Sequence, residues 1–392
     1  MLIKRPFWQE RIEHAWRERS VVWLMGVRRV GKTSLCRSLP NIDYFDCESP
    51  RTRQILSDPE GFLSVHRGKR IVLDEIHRLD NPSELLKLAA DHYSDVKIIA
   101  TGSSTLGVSS KFRDTLTGRK REIWLTPLLL QEMALFGNND LRHRFLFGGC
   151  PSFFTSEQLP EADFREWIDA YWAKDIQELF KVEKRYSFQK FTELLLGYAG
   201  GIFEASAFTA PCEITRQTVN NYLAILEETF VVHVVRPYST HKPTEIVMAP
   251  KIYAFDTGFM CYARGWHALR AEDLGALWEQ VVLNELHAVL QKRSIHYWRD
   301  KKGHEIDFVL ADSRSEQVTV IECKFSSLRI TGDPAGVKAV GKNIAVFRKN
   351  YPSGKNYVVA ADIDTPFSRR ISDDLEIAFV GVKDLIDALS TE

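Results

Sequence analysis

Gly26-Val27-Arg28-Arg29-Val30-Gly31-Lys32-Thr33-Ser34 brings together the residue types that wrap a chain of phosphates. The two glycines let the backbone curl until successive N–H groups face one anionic ligand. Lys32 is spaced to reach β- and γ-phosphates, and the Thr33 hydroxyl to hold Mg²⁺. Arg28, Arg29, Val30 and Ser34 complete the wall, largely through their main chain. The flanks agree, because the apolar run Val21–Met25 comes before and Leu35–Leu39 follows, ahead of Pro40. Strand, glycine loop, helix is the setting a phosphate loop requires. A glycine-bearing turn that fits by accident is the bland alternative, expected in roughly one chain in a hundred of this length. The expected ligands are ATP and Mg²⁺.

Hydrolysis needs carboxylates at the same sheet edge. Arg70-Ile71-Val72-Leu73-Asp74-Glu75 is an apolar strand ending in two acids, and Asp74 lies 42 residues after Lys32. A buried parallel strand delivers such acids to its carboxyl edge. Asp74 is expected in the Mg²⁺ shell and Glu75 as the group polarising the attacking water. Another strand, Lys97–Thr101, leads to Gly102-Ser103-Ser104. Ser103 is read either as a hydrogen-bond partner of the water or γ-phosphate, or as a helix N-cap. Arg119, and after it Arg113, sits between a helix end and the strand Glu122–Leu125, at the rim of the domain. There a guanidinium reaches a neighbouring subunit's nucleotide, or else forms a solvated basic turn.

A second constellation lies in the last third. In Val318–Lys324, period two puts Glu322 and Lys324 on one face and Cys323 on the other. A hairpin across the turn Ala311–Glu316 brings Asp307 of the strand His304–Leu310 alongside. The helix Gly275–Leu286 contributes Glu279, with Glu285 as the alternative. Carboxylates that bind Mg²⁺ and a lysine that orients water suit phosphodiester cleavage. A solvated Glu-x-Lys edge is the bland reading, and a module that grips DNA without cutting it is the intermediate one.

The elements that must position these groups are extensive. A chain of 392 residues exceeds one ordinary core. Its 52 basic and 52 acidic residues cancel, so no global field draws it to nucleic acid or membrane. Six cysteines lack any Cys-x-x-Cys spacing and read as buried reduced thiols. No apolar run approaches bilayer length, and Met1-Leu2-Ile3-Lys4-Arg5-Pro6 lacks a signal-peptide core. The expectation is a cytoplasmic protein with no membrane partner. An amphipathic helix over 7–20 leads into the loop strand. In the middle, Thr215 caps a helix with Val219, Leu223 and Leu226 inward and Arg216, Gln217 and Asn220 outward. These outward types reach base edges or phosphates, unless the face serves only subunit packing. Val231–Pro237 reads as a wing strand and 238–250 as an exposed hairpin or linker. Ile344–Phe347 and Tyr357–Ala360 are expected as closing strands, and Leu375–Leu389 as a final helix.

The loop, Asp74-Glu75, Gly102-Ser103-Ser104, Gly118-Arg119 and Leu125-x-Pro127-Leu128-x-x-x-Glu132 together resemble bacterial and archaeal AAA-type ATPases related to the origin-recognition clade. The resemblance runs on through Phe147-Gly148-Gly149-Cys150-Pro151, Tyr171-Trp172-Ala173-Lys174-Asp175-Ile176 and the C-terminal blocks. It implies the sensor role for Ser103 and the finger role for Arg119. An arginine that completes a neighbour's site implies a homo-oligomer, with a hexameric ring as its expected form. Asp307 followed by Glu322-x-Lys324, with Glu279 on a helix, resembles the restriction-endonuclease-like fold. The expected class is therefore a multidomain α/β protein. A parallel-sheet AAA+ P-loop domain occupies 1–130, a helical lid 131–185, a winged helix 186–250 and a nuclease-like domain 251–392. The expected activity is Mg²⁺-dependent ATP hydrolysis driving work on duplex or branched DNA. The rival is a nucleotide-dependent switch that binds a protein partner and never touches DNA. A small-molecule kinase fits less well, because Asp74-Glu75 suits water activation.

Overall fold

The computed structural model describes residues 2–102, 116–180, 182, 184–239, 249–311, 317–327 and 334–390. The chain forms two compact units, 1–189 with 221–231, and 190–220 with 232–392.

In the first unit β1 (Val21–Met25), β2 (Ile42–Asp46), β3 (Arg70–Asp74), β4 (Lys97–Thr101) and β5 (Lys120–Trp124) form a parallel sheet ordered β2-β3-β4-β1-β5. Its central strands are apolar throughout, because helices cover both faces of such a sheet. Val21, Trp23, Ile71, Leu73, Ile98 and Ala100 are fully buried in one core with Leu85, Leu86 and Ala89 of the helix Pro82–His92. The leading helix, Pro6–Glu18, buries Trp8, Ile12, Ala15 and Trp16, and Trp16 Nε1 donates to Ile98 O at 3.2 Å. Parallel pairing places the ends of β1, β3 and β4 at one edge. Thr101 pairs with Leu24, and Ala100 with Leu73.

The second unit is built on a sheet ordered β12-β13-β11-β10-β9-β8-β6-β7. Its strands are β6 (Val232–Pro237), β7 (Lys251–Ala254), β8 (His296–Arg299), β9 (Glu305–Ala311), β10 (Val318–Lys324), β11 (Asn356–Ala360), β12 (Phe367–Ser372) and β13 (Leu375–Val380). The strands β8, β9 and β10 run antiparallel, while β11 joins β10 in parallel. The strand expected as a wing, β6, pairs antiparallel with β7 and parallel with β8, and so belongs to this sheet. The helix Leu274–Leu290 is held to the sheet by Trp278, whose Nε1 donates to Val359 O at 3.0 Å.

Two expectations fail here. Ile344–Phe347 lies within the helix Pro334–Asn350 instead of a strand. Its β-branched and aromatic residues favour a strand locally, but Val340, Ile344 and Phe347 recur at helical spacing and are buried on one face. The stretch Leu375–Leu389 is not one helix, because its first part is the strand β13 and only Val382–Ser390 is helical. Leu375, Ile377 and Phe379 alternate inward at period two, and Gly381 separates the two patterns.

All six cysteines are free and buried, as their spacing implied. Among the described residues no helix is long and apolar enough to cross a membrane. Thr215 Oγ1 accepts from Thr218 N at 3.2 Å, capping the helix Arg216–Glu228. There Val219 and Leu226 are buried, Leu223 is half-buried, and Arg216, Gln217 and Asn220 are exposed. The tip of the expected hairpin, 240–248, and the turn 312–316 lie outside the described residues.

Candidate functional site

The strand β1 leads into Gly26, whose φ of +145° and closeness to Leu125 exclude a side chain. A Cβ there would stand 2.4 Å from Leu125 O. Arg29 and Gly31 follow at φ of +62° and +99°, so the loop reverses tightly before the helix Lys32–Arg37. Val30 is fully buried and shapes the loop from beneath. The loop borders a cavity of about 440 Å³ lined by Gly26, Arg28, Arg29, Gly31, Lys32, Thr33, Ser34 and Glu75, with Gly102, Pro151, Ser152 and Asp175 opposite. That is within the ~300–1,000 Å³ usual for small-ligand sites.

Lys32 Nζ donates to Gly26 O at 2.7 Å and Val27 O at 3.1 Å. Burial lowers its pKa, opposed by the charges of Glu75, Asp175 and Asp74. Thr33 Oγ1 donates to Asp74 Oδ2 at 2.9 Å, and Tyr44 OH and Thr101 Oγ1 also donate to this carboxylate. Asp74 is buried, and the helix Lys32–Arg37, β2 and β4 each supply a donor to it. Glu75 has φ of +52°, turning the chain at the strand end. Its N–H donates to Thr101 Oγ1 at 3.3 Å, and its Oε2 lies 3.2 Å from His77 Nδ1. Burial pushes its carboxyl up, but the His77 hydrogen bond and the charge of Lys32 prevail. The net result is a pKa below the ordinary glutamate value, which leaves a charged base facing the cavity.

In the second unit Glu279, Asp307, Glu322 and Lys324 do converge, joined by Lys251, Tyr253 and Glu305. Glu279 Oε1 accepts from Tyr253 OH and from Lys251 Nζ at 3.3 Å, and Lys251 also pairs with Glu305. Asp307 Oδ2 accepts from Cys323 N at 2.7 Å, and Lys324 Nζ lies 3.1 Å from Glu322 Oε2. Extending the β9–β10 register past Ile321 and Phe308 sets Asp307 opposite Glu322. Burial, then Asp307, pushes the Glu279 and Glu322 carboxyls well above the usual range. Glu322 Oε1 is buried with no hydrogen-bond partner. The alternative helix glutamate, Glu285, is itself buried.

Residues 18–134 match the family described as an AAA domain. That stretch is therefore similar to an AAA domain, and it carries a parallel-sheet P-loop fold. Residues 138–270 and 274–367 match two families described as domains of unknown function, DUF8612 and DUF4143. An uncharacterized protein of Mycobacterium tuberculosis is 28% identical over 320 residues, covering 78% of this chain and 71% of its own length. One of Haemophilus influenzae is 22% identical over 276 residues, covering 62% and 68%. Among solved structures, the Walker-type ATPase of Pyrococcus abyssi is 17% identical, covers 65% of this chain and 94% of its own, and superposes with a TM-score of 0.43. RuvB of Thermotoga maritima is 17% identical, covers 61% and 93%, and superposes with a TM-score of 0.31.

Within the first unit, Arg119 is not on the cavity wall. It is half-exposed, with Nε 2.7 Å from Asp91 Oδ1 of the same chain. Ser103 and Arg113 lie outside the described residues. Two site residues escaped the sequence reading. Arg5 is buried, bonded through Nη1 to Val30 O at 3.2 Å and through Nε and Nη2 to Glu132 at 2.7 Å each. Asp175 lies on the cavity wall, where Arg28 Nε donates to its Oδ2 at 2.9 Å. The block Tyr171–Ile176 contains Asp175 and the block Leu125–Glu132 contains Glu132, the partner of Arg5, but neither block names the residue opposite.

Proposed function

We propose that this chain hydrolyses ATP with Mg²⁺ and couples the turnover to DNA as a homo-oligomer. The observation that carries the reading is the cavity where Lys32, Thr33 and Glu75 meet beside the Gly26–Gly31 loop, with Asp74 bonded to Thr33 behind it. Loop N–H groups and Lys32 suit a triphosphate. Thr33 and Asp74, already hydrogen-bonded, suit the Mg²⁺ shell. Mg²⁺ there neutralises phosphate charge. Glu75, held ionised, orients water and receives its proton, while Thr101 fixes both acids at the sheet edge. Lys32 must release Gly26 O and Val27 O to meet phosphate. Support for DNA comes from the exposed Arg216, Gln217 and Asn220 on one helix face. Support for an oligomer comes from Arg119 at the rim, outside its own cavity.

The test is the ATPase rate with duplex, single-stranded and branched DNA at graded salt. At least one DNA should raise turnover, with binding that weakens steeply as salt rises. No stimulation and no salt-sensitive binding would favour the protein-partner switch.

For the second unit the observations favour gripping over cutting. Among the described residues no three His, Cys, Asp or Glu side chains stand in metal-holding geometry. Cys323 N engages Asp307, Lys324 engages Glu322, and Lys251 with Tyr253 engages Glu279. As arranged, each of these acids is engaged by a donor of the chain, although Glu322 Oε1 keeps none. The purified chain should therefore leave supercoiled plasmid intact in Mg²⁺ or Mn²⁺. Nicking that disappears in both Asp307→Ala and Lys324→Ala would reverse this reading.

A further inference from the structure

Each cation of the phosphate loop is already held by an acceptor of the first unit. Lys32 turns back on its own loop, Arg29 Nη2 lies 2.5 Å from Glu166 Oε1, and Arg28 Nε lies 2.9 Å from Asp175 Oδ2. The Arg28–Asp175 pair is distinctive because both partners line the cavity and both are sheltered, with side chains 27% and 13% exposed. Trp167, in the helix Glu161–Tyr171 that leads into the Asp175 segment, adds a bond from its Nε1 to Arg28 O at 3.0 Å. Asp175 itself sits in a π-helical turn, Trp172–Ile176, that interrupts the α-helical run from Glu161 to Phe180. Such turns are rare and are found mostly where a functional side chain must be aimed.

A carboxylate on the wall of a triphosphate cavity opposes the ligand unless it has a task there. We propose that Asp175 belongs to the nucleotide site as a stand-in for phosphate, neutralising Arg28 in the free pocket and surrendering it to an incoming nucleotide. The proposal rests on the nucleotide-binding reading above. Arg28 exchanges one charge-assisted hydrogen bond for others, to phosphate oxygens. Asp175 is left facing like charge, so the helical segment that carries it moves relative to the loop. Nucleotide occupancy and the position of 161–180 are thereby linked, and the linkage is reciprocal. A helix arrangement that pulls Asp175 away raises affinity, and one that presses it onto Arg28 lowers it.

The experiment is calorimetric titration of the full chain with Mg-ADP. Asp175→Asn keeps the shape and can still accept from Arg28, but removes the charge. Its Kd should fall about ten-fold. The gain should vanish when Asp175→Asn is combined with Arg28→Ala, because the effect passes through Arg28. Asp175→Ser, smaller and also uncharged, should tighten binding too, so a folding defect in one variant does not decide the result. Unchanged or weaker binding in the folded variants overturns the proposal, as does a gain that persists beside Arg28→Ala. If the wild-type chain does not bind Mg-ADP, the nucleotide-site reading itself is lost, and Asp175's role with it.

Discussion

Glu75→Gln will slow ATP turnover by between about a hundredfold and ten-thousandfold while nucleotide affinity stays within a few-fold of wild type. That loss is the range for a positioned general base, or about 3–5 kcal/mol of barrier. Glutamine preserves the main-chain turn at φ +52° and the bond from N–H to Thr101. It removes only the charge that polarises water. Affinity is spared because phosphate contacts come from the loop and Lys32. Single-turnover phosphate release, set beside equilibrium binding, separates the two effects. Near-wild-type turnover would remove Glu75 from the chemistry. The sign of its pKa shift adds a pH signature. With the folded value below 4.5, Glu75 stays ionised throughout the neutral range. Lowering pH from 8 to 6 should not cost turnover through this residue.

Arg5→Ala will destabilise the first unit by about 3–5 kcal/mol, the cost of breaking a buried ion pair by removing one partner. Against total stabilities of about 5–15 kcal/mol this is severe. Arg5 and Glu132 are 2% and 1% exposed and meet through two bonds of 2.7 Å. Without Arg5 the Glu132 carboxylate retains Leu129 N, at 3.0 Å, as its described donor. Val30 O, beneath the phosphate loop, loses its bond from Nη1, so Mg-ADP affinity should weaken as well. Thermal melting with and without nucleotide measures both effects. Arg5→Met with Glu132→Leu should recover most of the stability, because an apolar pair of similar volume leaves no buried charge. An Arg5→Ala chain that melts like wild type would refute the role.

The chemistry that the sequence disclosed is chemistry set by local spacing. The loop Gly26–Thr33 and the acids at the end of β3 are legible because a strand, a turn and a helix start fix them within a few covalent bonds. Period two likewise aligned Glu322 with Lys324 before any fold was known. Local strand propensity misjudged Ile344–Phe347, because strand-favouring residues are also found on the buried face of a helix when the sheet beneath demands one.

Partners distant along the chain could not be read. Arg5 and Glu132 are 127 residues apart, and Arg28 and Asp175 are 147 apart. Lys251 reaches Glu279 and Glu305 only because β7, β9 and the helix Leu274–Leu290 belong to one folded unit. A lone arginine or aspartate in a sequence is most economically read as solvated. Burial is what forces it to find an opposite charge. The sequence by itself determined that a phosphate loop exists and which acids accompany it. Tertiary structure alone decided which charges hold that loop in place, since chain closure, not residue type, selects the partner of a buried ion.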